Sequence, residues 1–213
     1  MTLLFHCFFK SAIKKVAACA YSTLVLSVFI AFFVSLAACS DKKLEFKGVD
    51  ITGADYAQNF KLEDQFGKTR TIADFKGKAV VIFFGFTQCP DVCPTAMADL
   101  AEVKKLLGKD GEKMQGIFIS LDPERDTAPV LKAYMENFDP TFIALRGSLE
   151  QTAEVAKHFK IFYKKVEGRT ASSYTLDHSA GSYAFDPQGQ IRLYNRYGGG
   201  PKPLAEDIVL LLK

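Results

Sequence analysis

The spacing of apolar residues changes several times along the chain, and each change marks an element. Residues 16–39, "VAACAYSTLVLSVFIAFFVSLAAC", are apolar and uncharged with no polar face, and about 23 such residues can span a bilayer. Beyond them strand and helix patterns alternate. "NFKLEDQFGKTRTIADF" at 59–75 holds two alternating stretches around Asp64 to Gly67 and predicts a hairpin. "AVVIFFGF" at 79–86 is a continuous β-prone run, which predicts a central strand buried on both faces. Met97, Leu100, Val103 and Leu107 then recur at helical spacing, predicting a helix from about Pro94 to Leu107 with Gly108 as its stop. "QGIFISL" at 115–121 is the next strand, "TAPVLKAYMENF" at 127–138 the next helix and "TFIALRG" at 141–147 a short strand. "SLEQTAEVAKHF" at 148–159 predicts an amphipathic helix, opened by a Ser148 cap with Gln151 three residues on. "GSYAFDPQGQIRLYNR" at 181–196 predicts a hairpin turning on Asp186 to Gly189, and "LAEDIVLLL" at 204–212 a closing helix. Such alternation favours an α/β domain, a sheet flanked by helices, over an all-β sandwich.

Charge gives the apolar segment a direction. Lys10, Lys14 and Lys15 precede it and the first acidic residue, Asp41, follows it, so the N-terminus is expected in the cytoplasm and the remainder outside. The segment ends in "LAAC", which resembles a lipobox and would make Cys39 the lipidated first residue of a mature lipoprotein. Its apolar stretch exceeds an ordinary signal core, so an uncleaved anchor is the alternative. The expected organisation is a signal or membrane-anchor segment at 1–39, a polar tether at 40–57 and one domain at 58–213. Across the chain 27 Lys and Arg face 24 Asp and Glu, spread without clusters, so nothing marks a nucleic-acid surface. Of five cysteines, Cys7, Cys19 and Cys39 lie in the targeting region, leaving Cys89 and Cys93 in the exported part.

Those two lie in "FFGFTQCPDVCPTAM" at 83–97, each followed by proline. Three chemistries suit such a pair: a structural disulfide, an exchangeable dithiol, or half of a metal site. The pair falls where a central strand turns into a helix, with Cys93 suited to the cap and Pro94 to the first helical position. A thiol at a helix N-terminus is expected to have a depressed pKa. The corner resembles the active corner of the thioredoxin-like fold. However, three residues separate these cysteines where thioredoxins have two, and the chain has no tryptophan. A three-residue insert lets the sulfurs spread around an ion while still permitting a disulfide. Of the histidines, His158 sits on the amphipathic helix and reads as packing. His178 stands in "SSYTLDHSAGSYAFD", a polar loop before a strand; in a thioredoxin-like fold that loop passes the active corner, which makes His178 the third-ligand candidate. Asp177 either holds the His178 ring or caps a turn. Pro90 and Asp91 shape the loop between the cysteines, and Asp122, Arg125 and Asp126 read as an ion pair holding a loop. "RYGGGPKP" at 196–203 is either a rim or a linker.

Taken together, "FFGFTQCPDVCPTAM", "SLDPERDTAPVLKAY" at 120–134 and "LDHSAGSYAFDPQG" at 176–189 resemble the Sco/SenC family of membrane-anchored, copper-binding, thioredoxin-like proteins. The resemblance covers nearly all of residues 45–213. It implies copper ligands at Cys89, Cys93 and His178, a redox-active disulfide between Cys89 and Cys93, and delivery of copper to the binuclear copper site of cytochrome c oxidase. The copper-site subunit is then the partner, alongside a thiol reductase or another copper carrier. The location is a bacterial membrane, with the domain in the periplasm or on the outer face. Two thiolates and an imidazole suit Cu(I) and, when the fold fixes them, Cu(II); structural zinc wants four ligands. A permanent disulfide over so short a loop would contribute only about 2 kcal/mol. The alternative function is a periplasmic thiol-disulfide oxidoreductase with Cys89 or Cys93 as nucleophile.

Overall fold

A computed structural model describes residues 44–168 and 173–213, with Glu45–Lys213 as one compact unit. The anchor expected at 1–39 and the lipidation expected at Cys39 lie outside the described residues. Among the described residues no helix is long and apolar enough to cross a membrane.

Ten strands and four α-helices alternate along the described residues. They are β1 (Val49–Asp50), β2 (Leu62–Asp64), β3 (Thr69–Arg70), β4 (Ala79–Gly85), α1 (Val92–Leu106), β5 (Met114–Ser120), α2 (Ala128–Glu136), β6 (Ile143–Arg146), α3 (Leu149–His158), β7 (Tyr163–Glu167), β8 (Tyr174–His178), β9 (Ser182–Phe185), β10 (Ile191–Asn195) and α4 (Pro201–Leu211). Eight strands form a sheet ordered β1-β10-β9-β4-β5-β6-β2-β3, while β7 and β8 pair separately. β4, β5 and β6 run parallel, since α1 and α2 provide the crossovers that parallel neighbours require. β9 runs antiparallel to β4, so the sheet is mixed. Every residue of β4 and β5 is buried, which is why β4 reads as an unbroken apolar run and β5 carries Ile117, Phe118 and Ile119 at its centre. Phe83, Phe84, Phe118, Phe142, Phe159 and Phe185 fill the core.

Most expected elements are present. The Asp64–Gly67 hairpin forms β2 and β3, and the Asp186–Gly189 turn joins β9 to β10. Ser148 and Gln151 form the expected reciprocal capping box at α3. Three differences stand out. α1 begins at Val92 with Asp91 as its cap, so Cys93 is inside the first turn rather than at the cap; Pro94 is still tolerated there because first-turn amides have no intrahelical acceptor. The region before His178, expected as loop, is the strand β8. The last part of the expected tether packs on the domain. β1 pairs with β10, the Lys47 and Gly48 amides donate to the Asp207 carboxylate at 2.7 and 2.8 Å, and Ala57 is fully buried.

Candidate metal centre

The corner between β4 and α1 is built around a missing side chain. A Cβ on Gly85, the last residue of β4, would lie 2.7 Å from Cys93 Sγ and 3.0 Å from the Phe83 and Phe118 rings. Only glycine leaves that space to the sulfur. The chain then turns, with the Cys89 amide donating to the Phe86 carbonyl at 3.2 Å. The Cys93 amide, in the first turn of α1, donates to Cys89 Sγ at 3.4 Å. The helix N-terminus is therefore aimed at the Cys89 sulfur. Cys93 points inward and is fully buried, whereas Cys89 is partly exposed, and both are free thiols. Burial pushes the Cys93 thiol well above its ordinary range, opposed by a hydrogen bond from the Phe86 backbone and reinforced by Cys89. The depressed pKa expected of a helix-start thiol is thus overturned for Cys93, because desolvation inside the core outweighs the helix dipole.

The third group arrives from the separate hairpin, in which His178 at the end of β8 pairs with Tyr163 of β7. His178 Nδ1 lies 2.9 Å from the Ser179 carbonyl. A carbonyl only accepts, so Nδ1 carries the proton and Nε2 keeps its lone pair. That Nε2 lies 3.4 Å from Cys93 Sγ, across 85 positions of sequence. Phe83 and Phe86 stand edge-on to the imidazole, with ring centroids 6.1 and 5.9 Å away. Burial lowers the His178 pKa, partly offset by the Ser179 carbonyl and the Asp177 charge, so the ring is held neutral with a free donor atom. One ligand atom from each of Cys89, Cys93 and His178 lies within 4.8 Å of the others.

The remaining candidates fall outside this cluster. Asp177 is exposed and one residue out of phase with His178 along β8, so it faces the other way; the Ser179 carbonyl, not the Asp177 carboxylate, holds the ring. His158 Nε2 accepts the Gln58 amide at 3.1 Å, which makes it a packing residue as expected. Pro90 and Asp91 are exposed in the loop between the cysteines. Arg125 and Asp122 pair as expected. Asp126 is instead fully buried, accepting Thr87 Oγ1 at 2.6 Å and Ser120 Oγ at 2.6 Å. Residues 196–200 border a small cavity with Phe83, Ala96 and Ser182 before α4 begins. Gly85 and the Ser179 carbonyl were missed by sequence reasoning. A lone glycine ending an apolar strand one turn before a cysteine was the available signal for the first; a main-chain acceptor leaves no signal at all.

A sheet corner that brings two thiols and one imidazole together can be compared with known proteins. Residues 49–213 match the model of the SCO1/SenC family. An SCO2-like protein of Rickettsia felis is 38% identical over 149 residues, covering 70% of this chain and 73% of its own. The structure of Bradyrhizobium japonicum ScoI with copper bound is 40% identical, with a TM-score of 0.66, covering 72% of this chain and 98% of that one. A structure that identifies a disulfide switch in BsSco, described as a member of the Sco family of cytochrome c oxidase assembly proteins, is 25% identical with a TM-score of 0.61, covering 77% of this chain and 97% of that one. With its mixed sheet, its cysteine-bearing corner and a family match running from β1 to the last residue, the chain belongs to the SCO1/SenC family.

Proposed function

We propose that the protein is a membrane-anchored copper chaperone that holds one copper ion between Cys89, Cys93 and His178 and delivers it to the binuclear copper site of cytochrome c oxidase. The observation that carries this reading is the meeting of two sulfurs and one imidazole nitrogen within 4.8 Å. The donor set fits copper: thiolates are soft ligands that favour Cu(I), and the neutral imidazole adds the nitrogen that Cu(II) draws on. The copper-bound relative supports the same cargo. Copper arrives as substrate, displaces the Cys93 thiol proton and leaves to the acceptor's ligands. Residues 1–39 anchor the protein, either through a lipidated Cys39 or as an uncleaved span, and the domain faces the periplasm or the outer side.

A second reading rests on a specific observation. Both cysteines are free, one loop apart, and a relative carries a disulfide switch, so the pair can also act as a thiol-disulfide reductant on exported cysteines, with Cys89, the more exposed sulfur, as the attacking group. Substituting one residue separates the two. In cells at limiting copper, His178→Ala should abolish assembly of the copper-dependent oxidase, and added copper should restore it. Full oxidase activity in His178→Ala, with activity lost in Cys89→Ser, contradicts the chaperone reading and leaves thiol exchange.

A further inference from the structure

The proposed metal ligands come from two structural units that, among the described residues, share no β-ladder. Cys89 and Cys93 belong to the β4–α1 corner of the main sheet, whereas His178 belongs to the β7–β8 hairpin, which forms its own sheet. The β4–β9 ladder brings the chain beside the corner at Ser182, four residues after His178, but the strand that carries the imidazole makes no ladder with the corner itself. Along β8 only Leu176 is buried, with Tyr174 and, on β7, Tyr163 partly buried against the core, so apolar packing holds the hairpin by a narrow strip.

The loop after β5 reaches both units. Arg125 Nη1 lies 3.1 Å from Gln88 Oε1, one residue before Cys89, and 2.9 Å from the Tyr174 carbonyl, at the start of the strand that ends in His178. One guanidinium nitrogen thus donates its two hydrogens to the two ligand-bearing segments. The guanidinium also stacks on the Tyr174 ring, 3.6 Å from its centroid, and lies 5.8 Å from the Phe86 ring. Buried Asp122 closes the arrangement, accepting Arg125 Nε with one oxygen and the Tyr174 hydroxyl at 2.8 Å with the other. The neighbouring Asp126 carboxylate holds Thr87 through its hydroxyl and its amide. These hydrogen bonds from the loop 122–126 end at Thr87, Gln88 and Tyr174, each within four residues of Cys89 or His178.

We infer that Arg125 is a positioning residue of the metal centre, clasping the His178 strand to the cysteine loop through Tyr174 and Gln88. This rests on the copper reading above. A planar fork stacked on an aromatic ring fixes direction as well as distance, which a lysine cannot reproduce. Loss of the clasp frees His178 from its place while the two sulfurs stay on the rigid corner. The consequence is selective, because two thiolates alone retain Cu(I) whereas Cu(II) draws on the imidazole.

The test uses the full-length protein and its Arg125→Gln and Arg125→Lys variants, with Cu(I) and Cu(II) titrated separately. Both variants should lose about 10- to 100-fold in Cu(II) affinity, the range for partners that orient metal ligands, with Cu(I) affinity unchanged. Without metal, nuclear Overhauser contacts between the His178 ring and the Phe83 and Phe86 rings should weaken, while contacts between β4 and β5 stay as they are. Equal losses for the two copper states, full recovery by lysine, or ring contacts kept in Arg125→Gln each overturn the clasp. If wild-type protein binds no copper through its cysteines, the copper reading fails by itself, and the metal-free ring contacts still decide whether Arg125 holds the strand.

Discussion

Cys93 is the residue at which burial and chemistry pull against each other. Its sulfur is inside the core, and desolvation holds it as a thiol through neutral pH, so binding a metal must release that proton. Copper affinity should therefore rise as pH rises, up to about tenfold per unit for each proton displaced. His178 works in the other direction: burial lowers its pKa, so the imidazole stays available below the pH at which an ordinary histidine becomes charged. Proton release on copper addition, followed in a weakly buffered solution, checks this; release of no protons at neutral pH contradicts it. Gly85 makes room for the same sulfur. Gly85→Ala would place a methyl 2.7 Å from Cys93 Sγ, and overpacking of this kind costs about 1–3 kcal/mol. Denaturant unfolding should show that loss, and an unchanged midpoint would mean the corner relaxes freely. At this scale the three cluster residues could be picked out from the sequence, because cysteine and histidine carry their chemistry in their identity. Their environment could not, since the burial of Cys93 depends on residues brought together from β4, β5 and β8.

Among the elements, the sheet strands were readable where burial is two-sided and the hairpin carrying His178 was not. β7 reads "YKKVE" and β8 "YTLDH", with only one residue buried between them, so neither shows the apolar alternation by which a strand is recognised. They are placed by pairing with each other, by the packing of Leu176, Tyr163 and Tyr174 on the core and by the contact of Arg125 with Tyr174, none of which a periodicity argument can see. The start of α1 was misplaced by two residues because Pro94 drew the boundary to itself, although a proline fits anywhere in the first turn. The β2–β3 hairpin, by contrast, carries its own signature. Asp64 is fully buried, and its Oδ1 accepts the Phe66 and Lys68 amides at 2.9 Å each, while Oδ2 accepts Arg70 Nε at 2.7 Å. Burial raises its pKa, but these hydrogen bonds and the Arg70 charge outweigh that and lower it. A lowered carboxylate pKa stabilises the fold above the unfolded value and is lost as pH falls through the folded one. Asp64→Asn should thus cost about 2 kcal/mol at neutral pH, and the gap to wild type should shrink on acidification. A gap that stays constant down to acid pH would show that the charge contributes nothing.

For the whole molecule, the arrangement places a reactive corner at the end of a sheet whose interior is mostly aromatic and aliphatic. The sheet fixes both cysteines, and the loop 122–126 contacts the strand that carries His178. The segment before the domain is clipped to it through β1 and Asp207, so the free length available to a tether is shorter than the polar composition of residues 40–57 suggested. The α/β class followed from alternation of periods, and the family from three motifs in order. What composition could not supply was the distance between the motifs, which is a property of the folded sheet. The central claim is that one copper ion is held by two sulfurs and one nitrogen, and X-ray absorption on copper-loaded full-length protein tests it most directly. The account predicts sulfur and imidazole scattering around a single copper, with the sulfur contribution abolished in a Cys89→Ser, Cys93→Ser double variant. A spectrum unchanged by that double substitution would contradict it.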